Sequence, residues 1–186
     1  IAAVSEFFIS SKVRSELFGS QLCLNDSQQS KVLCDIGTKV EVRNLFHNLP
    51  VRQHYMKSQL PNLSKQLNKF LYHYVLACRE TKFHVLNNEK LLLSTEDLGD
   101  SSPETIFQHL FGAQQNMVQF EQFSDQFSLQ AFLSNQNGGI PQQNQQKLFI
   151  VLNRKPILNE LLYKALKRAF KEKSALTQPV GVVYLT

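Results

Sequence analysis

No apolar run in the 186 residues approaches the roughly 18 consecutive positions that a helical membrane span needs, so neither a span nor a membrane partner is expected. The three cysteines, Cys23, Cys34 and Cys78, are odd in number and form no C-x-x-C pair. That argues against a disulfide framework or a zinc site and for a reducing compartment. The opening IAAVSEFFISSK has no initiator methionine and no basic stretch leading into an apolar core, so it reads as a cut from a longer chain and not as a signal peptide. His47, His54, His73, His84 and His109 are scattered, with no Cys or carboxylate partner at ligand spacing, and no metal site is expected. No Ser/His/Asp set can be argued from order alone, because triads are recognised by geometry, and no catalytic residue is assigned. The tripeptides starting at Asn25 and Asn62 match the glycosylation pattern, which arises often by chance and has no secretory signal behind it here.

What is present suits a globular chain: 42% hydrophobic and 19% charged residues, long enough for one or two domains. The net charge of +5 is unevenly placed. Between Lys147 and Lys173, eight cationic residues stand against Glu160 and Glu172, so this stretch alone exceeds the excess of the whole chain. A local concentration of that kind on a near-neutral background points to a surface that faces a polyanion, with a solvated helix face as the bland alternative.

Hydropathy patterning predicts a mixed α/β chain. Phe8, Ile9 and Val13 suggest a strand over residues 6–13, and Val32 and Leu33 another. Thr38-Lys39-Val40-Glu41-Val42-Arg43 alternates β-branched and charged side chains, the pattern of a half-buried strand. From Pro61 to Glu80, Leu63, Leu67, Phe70, Leu71, Tyr74 and Cys78 recur at spacings of three and four, which predicts one amphipathic helix with these residues on its buried stripe. FHVL and KLLLS flank Asn87-Asn88-Glu89 and predict a hairpin, since Asn tolerates positive φ. Residues 95–103 (TEDLGDSSP) are acidic, small and broken by Gly and Pro, the best place for a linker between domains at 1–100 and 103–186. Ser102-Pro103 supplies an N-cap and a first-turn proline for a helix ending near Gly112. Val118 and Phe120, then Phe127, Leu129, Ala131 and Leu133, predict an antiparallel pair. Residues 135–146 are low-complexity and read as a surface loop. LFIVL reads as a buried strand, Pro156 as the start of a helix running to about Lys171, and PVGVVYLT as a final strand. On that helix Lys164, Arg168 and Lys171 share one face, and Leu158, Leu161, Leu162, Ala165, Ala169 and Phe170 supply the buried side.

The run Gly37-Thr38-Lys39-Val40-Glu41-Val42-Arg43-Asn44-Leu45-Phe46-His47-Asn48-Leu49-Pro50-Val51-Arg52 resembles the signature of the MutL family of DNA mismatch repair proteins, a G-T-x-V-x-V strand followed by L-F-x-N-x-P-x-R. A second anchor, Phe149 to Ile157 (FIVLNRKPI), resembles the family's N-G-R or N-R-R-P element, and HLFGAQ its short V-F-G element. The N-x-[RK]-P and LFHNLPVR wording is nearest to the eukaryotic PMS subunits. Gln53-His54-Tyr55 departs from the family's more basic continuation, and the Gln/Asn-rich loop has no counterpart in the pattern.

The resemblance implies the C-terminal part of a GHKL-type ATPase α/β sandwich, followed by a transducer domain similar to the second domain of ribosomal protein S5. It implies ATP and Mg²⁺ as cofactors of the intact protein, with Gly37 and Thr38 at the nucleotide site. The matching threonine hydroxyl supports the adenine pocket through a water and an aspartate that this chain lacks. The general-base glutamate, the metal-binding asparagine and the phosphate-contacting lysine are absent too, so the chain alone is expected neither to hold the cofactors nor to turn over ATP; magnesium-dependent turnover would refute this. Double-stranded DNA is the expected ligand of Arg154, Lys155, Lys164, Lys167, Arg168 and Lys171, with Lys155 matching the family's DNA-contacting arginine. Arg52 is expected to anchor its loop. An MLH-type MutL homologue as heterodimer partner, a MutS-type mismatch sensor and nuclear localisation complete the picture. Two other readings stay open: a catalytically silent scaffold whose basic helix meets an acidic partner, and an S5-like RNA-binding module, which leaves the Gly37 to Arg52 run unexplained.

Overall fold

Period-two alternation in the first third of the chain becomes an antiparallel sheet, and the longer apolar runs further on become a second sheet covered by helices. The computed structural model describes residues 1–26, 28–114, 116–135, 138–141, 147–171 and 177–186. The chain divides into two compact units, Ile1–Lys65 and Gln66–Thr186.

In the first unit a 3₁₀ turn at Ala2–Val4 leads into β1 (Glu6–Lys12), β2 (Gly19–Cys23), β3 (Gln28–Val32) and β4 (Gly37–Arg43), all antiparallel in the order β3-β2-β1-β4. The turn after β4 is held on the first one: the Phe46 amide donates to the Val4 carbonyl at 2.6 Å, and the Asn48 side-chain amide donates to the Ala3 carbonyl at 2.9 Å. Asn44 and Phe46 take positive φ there, 50° and 63°. Pro50 then opens α1 (Pro50–Ser58), where a missing N–H costs nothing. No apolar period announces α1, and none of its residues is buried.

Two expectations need correction in this region. The strand at 37–43 was expected to be half-buried, but Val40 and Val42 remain 55% and 42% exposed. β4 is an edge strand, and every buried apolar residue among those described lies between Val75 and Tyr184, so within its own unit β4 has no core to face. The helix expected at 61–80 is α2 (Leu60–Ala77), and its buried side matches the expected stripe only in part: Leu63, Leu71 and Cys78 are partly buried. Leu67, Phe70 and Tyr74 are exposed, whereas His73, Val75, Leu76 and Ala77 are buried. The fully buried residues cluster in the last turn of α2, where the helix meets the core.

The second unit continues with a hairpin of β5 (His84–Asn87) and β6 (Lys90–Ser94). Asn88 and Glu89 at its tip have φ of 48° and 65°, the two left-handed residues of a type I′ turn. α3 (Pro103–Phe111) begins as expected: the Ser102 hydroxyl accepts from the Thr105 amide at 3.1 Å, and Gly112 closes the helix at φ 76°. Next come β7 (Met117–Phe123), β8 (Ser128–Ser134), β9 (Ile140–Pro141), β10 (Leu148–Leu152), β11 (Lys155–Ile157), α4 (Glu160–Lys171), β12 (Thr177–Gln178) and β13 (Gly181–Leu185). Five of these strands form one sheet in the order β11-β10-β13-β8-β7, with β10 and β13 parallel and every other neighbour antiparallel. β9 and β12 pair separately, so part of the expected loop at 135–146 is strand; residues 136–137 and 142–146 lie outside those described.

Alternate sheet residues Phe132, Phe149, Val151, Val182 and Tyr184 pack against Val75 and Leu76 of α2 and Ile106 and Phe107 of α3. The segment read as a linker belongs inside this unit. Thr95 is buried, its amide donates to the Phe83 carbonyl at 2.8 Å, and its hydroxyl accepts from the Phe83 amide at 2.8 Å. The compact units therefore part within α2 and not at 95–103. Tyr184 ties helix to sheet, since its hydroxyl donates to the Leu76 carbonyl at 2.9 Å and the Arg79 guanidinium lies over its ring at 4.5 Å. Burial pushes the Tyr184 hydroxyl well above the usual phenol range, so it stays a donor. Tyr184→Phe should cost about 1–2 kcal/mol, because a buried carbonyl loses its partner. A lowered urea midpoint would show it; an unchanged midpoint would mean that the carbonyl is satisfied otherwise.

Candidate functional site

The residues singled out in the sequence fall in both units. In the first, Thr38 lies opposite Ser11 in the β1–β4 register, with the two hydroxyl oxygens 3.0 Å apart. Ser11 Oγ also reaches the Gly37 carbonyl at 3.3 Å. If Ser11 gives its proton to that carbonyl, Thr38 donates to Ser11 and keeps its own lone pairs for a water or another donor. Gly37 has φ 123°, a conformation that L side chains rarely adopt, and nothing lies within 4 Å of where a Cβ would be. The glycine is there for its backbone and not for close packing. This exposed hydroxyl can exchange a hydrogen bond with a water or a ligand, but it supplies no charge. Arg52 lies within α1 and is exposed.

Beside Thr38, Lys39 and Arg43 both bind Glu41, at 2.9 Å and 3.2 Å. The hydrogen bond from Lys39, then that from Arg43, holds the Glu41 carboxyl below its ordinary value. No group of three or more His, Cys, Asp or Glu side chains able to hold a metal occurs among the described residues.

The basic set lies in the second unit, and one expectation about it is corrected. Arg154 and Lys155 do not stand at a strand-to-helix corner. Asn153 and Arg154, at φ 49° and 62°, form the tip of a two-residue hairpin that returns through β11, and α4 begins only at Glu160. Pro156 is paired within β11, opposite Val151. Proline is compatible with this edge position as well as with a helix start, and the left-handed pair before it decides between them. Arg154 donates to Glu80 at 2.6 Å, both side chains being 75% exposed, so the pair orients the arginine more than it stabilises the fold. Lys155 is exposed.

On α4 the buried side is Leu162, Tyr163, Leu166 and Phe170, all partly buried. Leu158, Leu161, Ala165 and Ala169, expected inside, are exposed, Leu161 by 77%. Lys164 binds Glu160 one turn earlier at 3.0 Å. Lys167 is half-buried on the flank of the helix, Arg168 is exposed, and Lys171 ends the helix with its side chain outside what is described. The structure thus forms two cationic groups, a hairpin tip with Arg154 and Lys155 and a helix flank with Lys164 and Lys167. Lys69 and His73 of α2 join the second group around a cavity of about 310 Å³. Sequence order gave no sign of that meeting, because α2 and α4 are far apart in the chain.

No family model matches. Among curated proteins, the DNA mismatch repair protein MutL of Clostridium acetobutylicum is 27% identical over 191 aligned positions, covering 100% of this chain and 30% of its own length. MutL of Chlorobium phaeobacteroides is 29% identical over 177 positions, covering 92% of this chain and 27% of its own. Among solved structures, the N-terminal domain of a DNA repair protein superposes with TM-score 0.83 at 19% identity, over 99% of this chain and 60% of that one. The Aquifex aeolicus MutL ATPase domain complexed with ADP superposes with TM-score 0.70 at 27% identity, over 100% of this chain and 68% of that one. The B-subunit of DNA gyrase from Myxococcus xanthus, at TM-score 0.52 and 13% identity, shares the fold alone.

The fold is therefore the mixed α/β one of the GHKL ATPase domains of MutL and gyrase B. The chain is similar to the MutL DNA mismatch repair proteins from end to end, and it spans 30% and 28% of the length of two of the curated relatives it matches.

Proposed function

We propose that this chain is the stretch of a MutL-type mismatch repair protein, of the PMS kind by its motif wording, in which a GHKL ATPase lobe passes into an S5-like transducer lobe. The observation that carries the reading is the coincidence of motif and exposed hydroxyl. Gly37-Thr38 opens β4 with Thr38 accessible, in a chain that superposes throughout on an ATPase domain complexed with ADP. The exposed apolar side chains of the first unit, Leu33, Ile36, Val40 and Val42 among them, support it, since they suit a sheet completed by further residues of a longer protein.

In this reading ATP and Mg²⁺ bind the longer protein, with Thr38 as an accessory contact at the adenine. Nucleotide closes the N-terminal halves of a heterodimer with an MLH-type homologue around duplex DNA and relays recognition by a MutS-type sensor to strand incision, in the nucleus. Arg154 and Lys155 on the hairpin, and Lys164, Lys167, Arg168 and Lys171 on α4, contribute the phosphate contacts. Two measurements on the longer protein test this. Thr38→Ala should weaken ATP binding without unfolding the sheet, because Thr38 is exposed; unaltered nucleotide affinity would remove the assignment. Lys155→Glu and Arg168→Glu should each lower the slope of log affinity for duplex DNA against log salt by about 0.9 for a lost phosphate contact. Slopes equal to that of the parent would defeat the DNA reading.

A further inference from the structure

The two edges of the five-stranded sheet differ in kind. β11 has three residues and carries Lys155 and Pro156, a cation and a residue without an amide proton, both of which keep a foreign strand off a sheet edge. β7 has seven residues, Met117–Phe123, with no lysine, no proline and no break in its register with β8. The Asn135 amide donates to the Asn116 carbonyl at 2.7 Å and the Ser124 amide to the Phe127 carbonyl at 2.9 Å. Antiparallel pairs bond at every second residue, so between these two points Val118, Phe120 and Gln122 are the residues bonded to β8. Met117, Gln119, Glu121 and Phe123 therefore turn their N–H and C=O groups outward, and among the described residues these groups have no partner.

The two faces of this edge also differ. Val118 and Phe120, opposite Leu133 and Ala131, are exposed and form an apolar face. Gln119 and Glu121 lie opposite Phe132 and Gln130, on the face that α3 covers further in. There the Glu121 carboxylate accepts from Gln130 at 2.8 Å, and the Glu104 carboxylate accepts from Gln119 at 3.1 Å and from Gln108 at 2.9 Å. Both carboxylates are held by neutral amides, and neither has a cationic partner among the described residues.

We propose that β7 is a docking edge for an extended segment of a partner protein, which adds antiparallel to the sheet and alternates cationic with apolar residues. In that register a partner residue bonded to Gln119 or Glu121 has its side chain on their face of the sheet. The cations then fall beside Glu104 and Glu121, and the apolar residues between them fall on Val118 and Phe120. Backbone bonds supply affinity, while the two carboxylates and the apolar pair supply selectivity. A second copy of this chain fits less well. In the antiparallel register that pairs all of β7 with another β7, the two Glu121 carboxylates become diagonal neighbours on edges that already carry Glu104. The proposal does not depend on the mismatch repair reading or on the basic residues of α4 and the β10–β11 hairpin.

Fluorescence anisotropy of a labelled heptapeptide of alternating lysine and valine, titrated with the full-length protein at low salt, tests it. The same peptide with glutamate for lysine should bind at least about tenfold more weakly. Methylating the backbone nitrogens of the lysines removes the donors aimed at β7 and should weaken binding at least about tenfold. Methylating those of the valines, which point away from β7, should leave it within about threefold. Glu104→Gln, Glu121→Gln and Phe120→Ser should each weaken binding about threefold, while Glu89→Gln on the β5–β6 hairpin should not. Urea midpoints of these variants close to that of the parent keep the comparison one of binding. Hydrogen exchange followed by mass spectrometry should show residues 117–123 slowed by the lysine peptide. Equal binding of the two methylated peptides, or of the lysine and glutamate peptides, would overturn the proposal. So would exchange over 117–123 that slows with rising protein concentration in the absence of peptide, which would make a second copy the occupant.

Discussion

Gly181→Ala is expected to destabilise the second unit by roughly 3 kcal/mol or more, the sum of overpacking and backbone strain. Gly181 opens β13, the central strand of the five-stranded sheet, at φ 139°. A methyl group there would run into the Phe132 carbonyl oxygen and come within 2.8 Å of the Leu133 Cα. These are backbone atoms of the paired strand β8, which cannot swing aside as a flexible side chain can. The Gly181 amide also donates to the Lys147 carbonyl at 2.9 Å, so relieving the clash by shifting the strand would break that bond. Urea unfolding followed by circular dichroism reads the effect, and a loss under about 1 kcal/mol would mean that the sheet yields at this point.

Phe107→Ala should cost about 3–5 kcal/mol, the usual range for emptying an aromatic site in a closed core. Phe107 is 0% exposed and meets Phe111, Phe132 and Phe149 with ring centroids at 4.7, 5.9 and 6.4 Å. With Ile106 it joins α3 to the sheet, so the void would open between two packed elements. Phe107→Leu, which keeps most of the volume, should cost about 1.5 kcal/mol or less. Equal losses from the two substitutions would show that ring shape, and not filled space, matters at this position.

Which parts of this fold could be read from residues alone follows from how local their causes are. The hairpin at Asn87 to Lys90 and the start of α3 at Ser102-Pro103 were legible because one or two side chains determine the backbone there. The Asn153-Arg154 turn was not, because its second residue carries no turn signal and Pro156 offered a competing helix start. On α4 two apolar stripes compete, and on α2 the last turn is the most buried part; only contact with Phe149 or the neighbouring strands decides either. The Gly37 to Arg52 run was legible as a motif, and Thr38 lies at the head of a strand as that motif requires. The cavity at Lys69 was invisible, since it exists only where two helices distant in sequence meet one strand.

The position of β13 has a consequence for how the second unit is made. Of the five strands of the sheet, the one in the middle is the one that comes last along the chain, after β7, β8, β10 and β11. During synthesis on the ribosome, β7–β8 and β10–β11 can each close as a hairpin, but they share no neighbour until Gly181–Leu185 has emerged. Closing those distant segments costs loop entropy before any new hydrogen bond repays it. The two hairpins must therefore wait as separate pieces, each with an open strand edge, until the growing polypeptide delivers the strand that joins them.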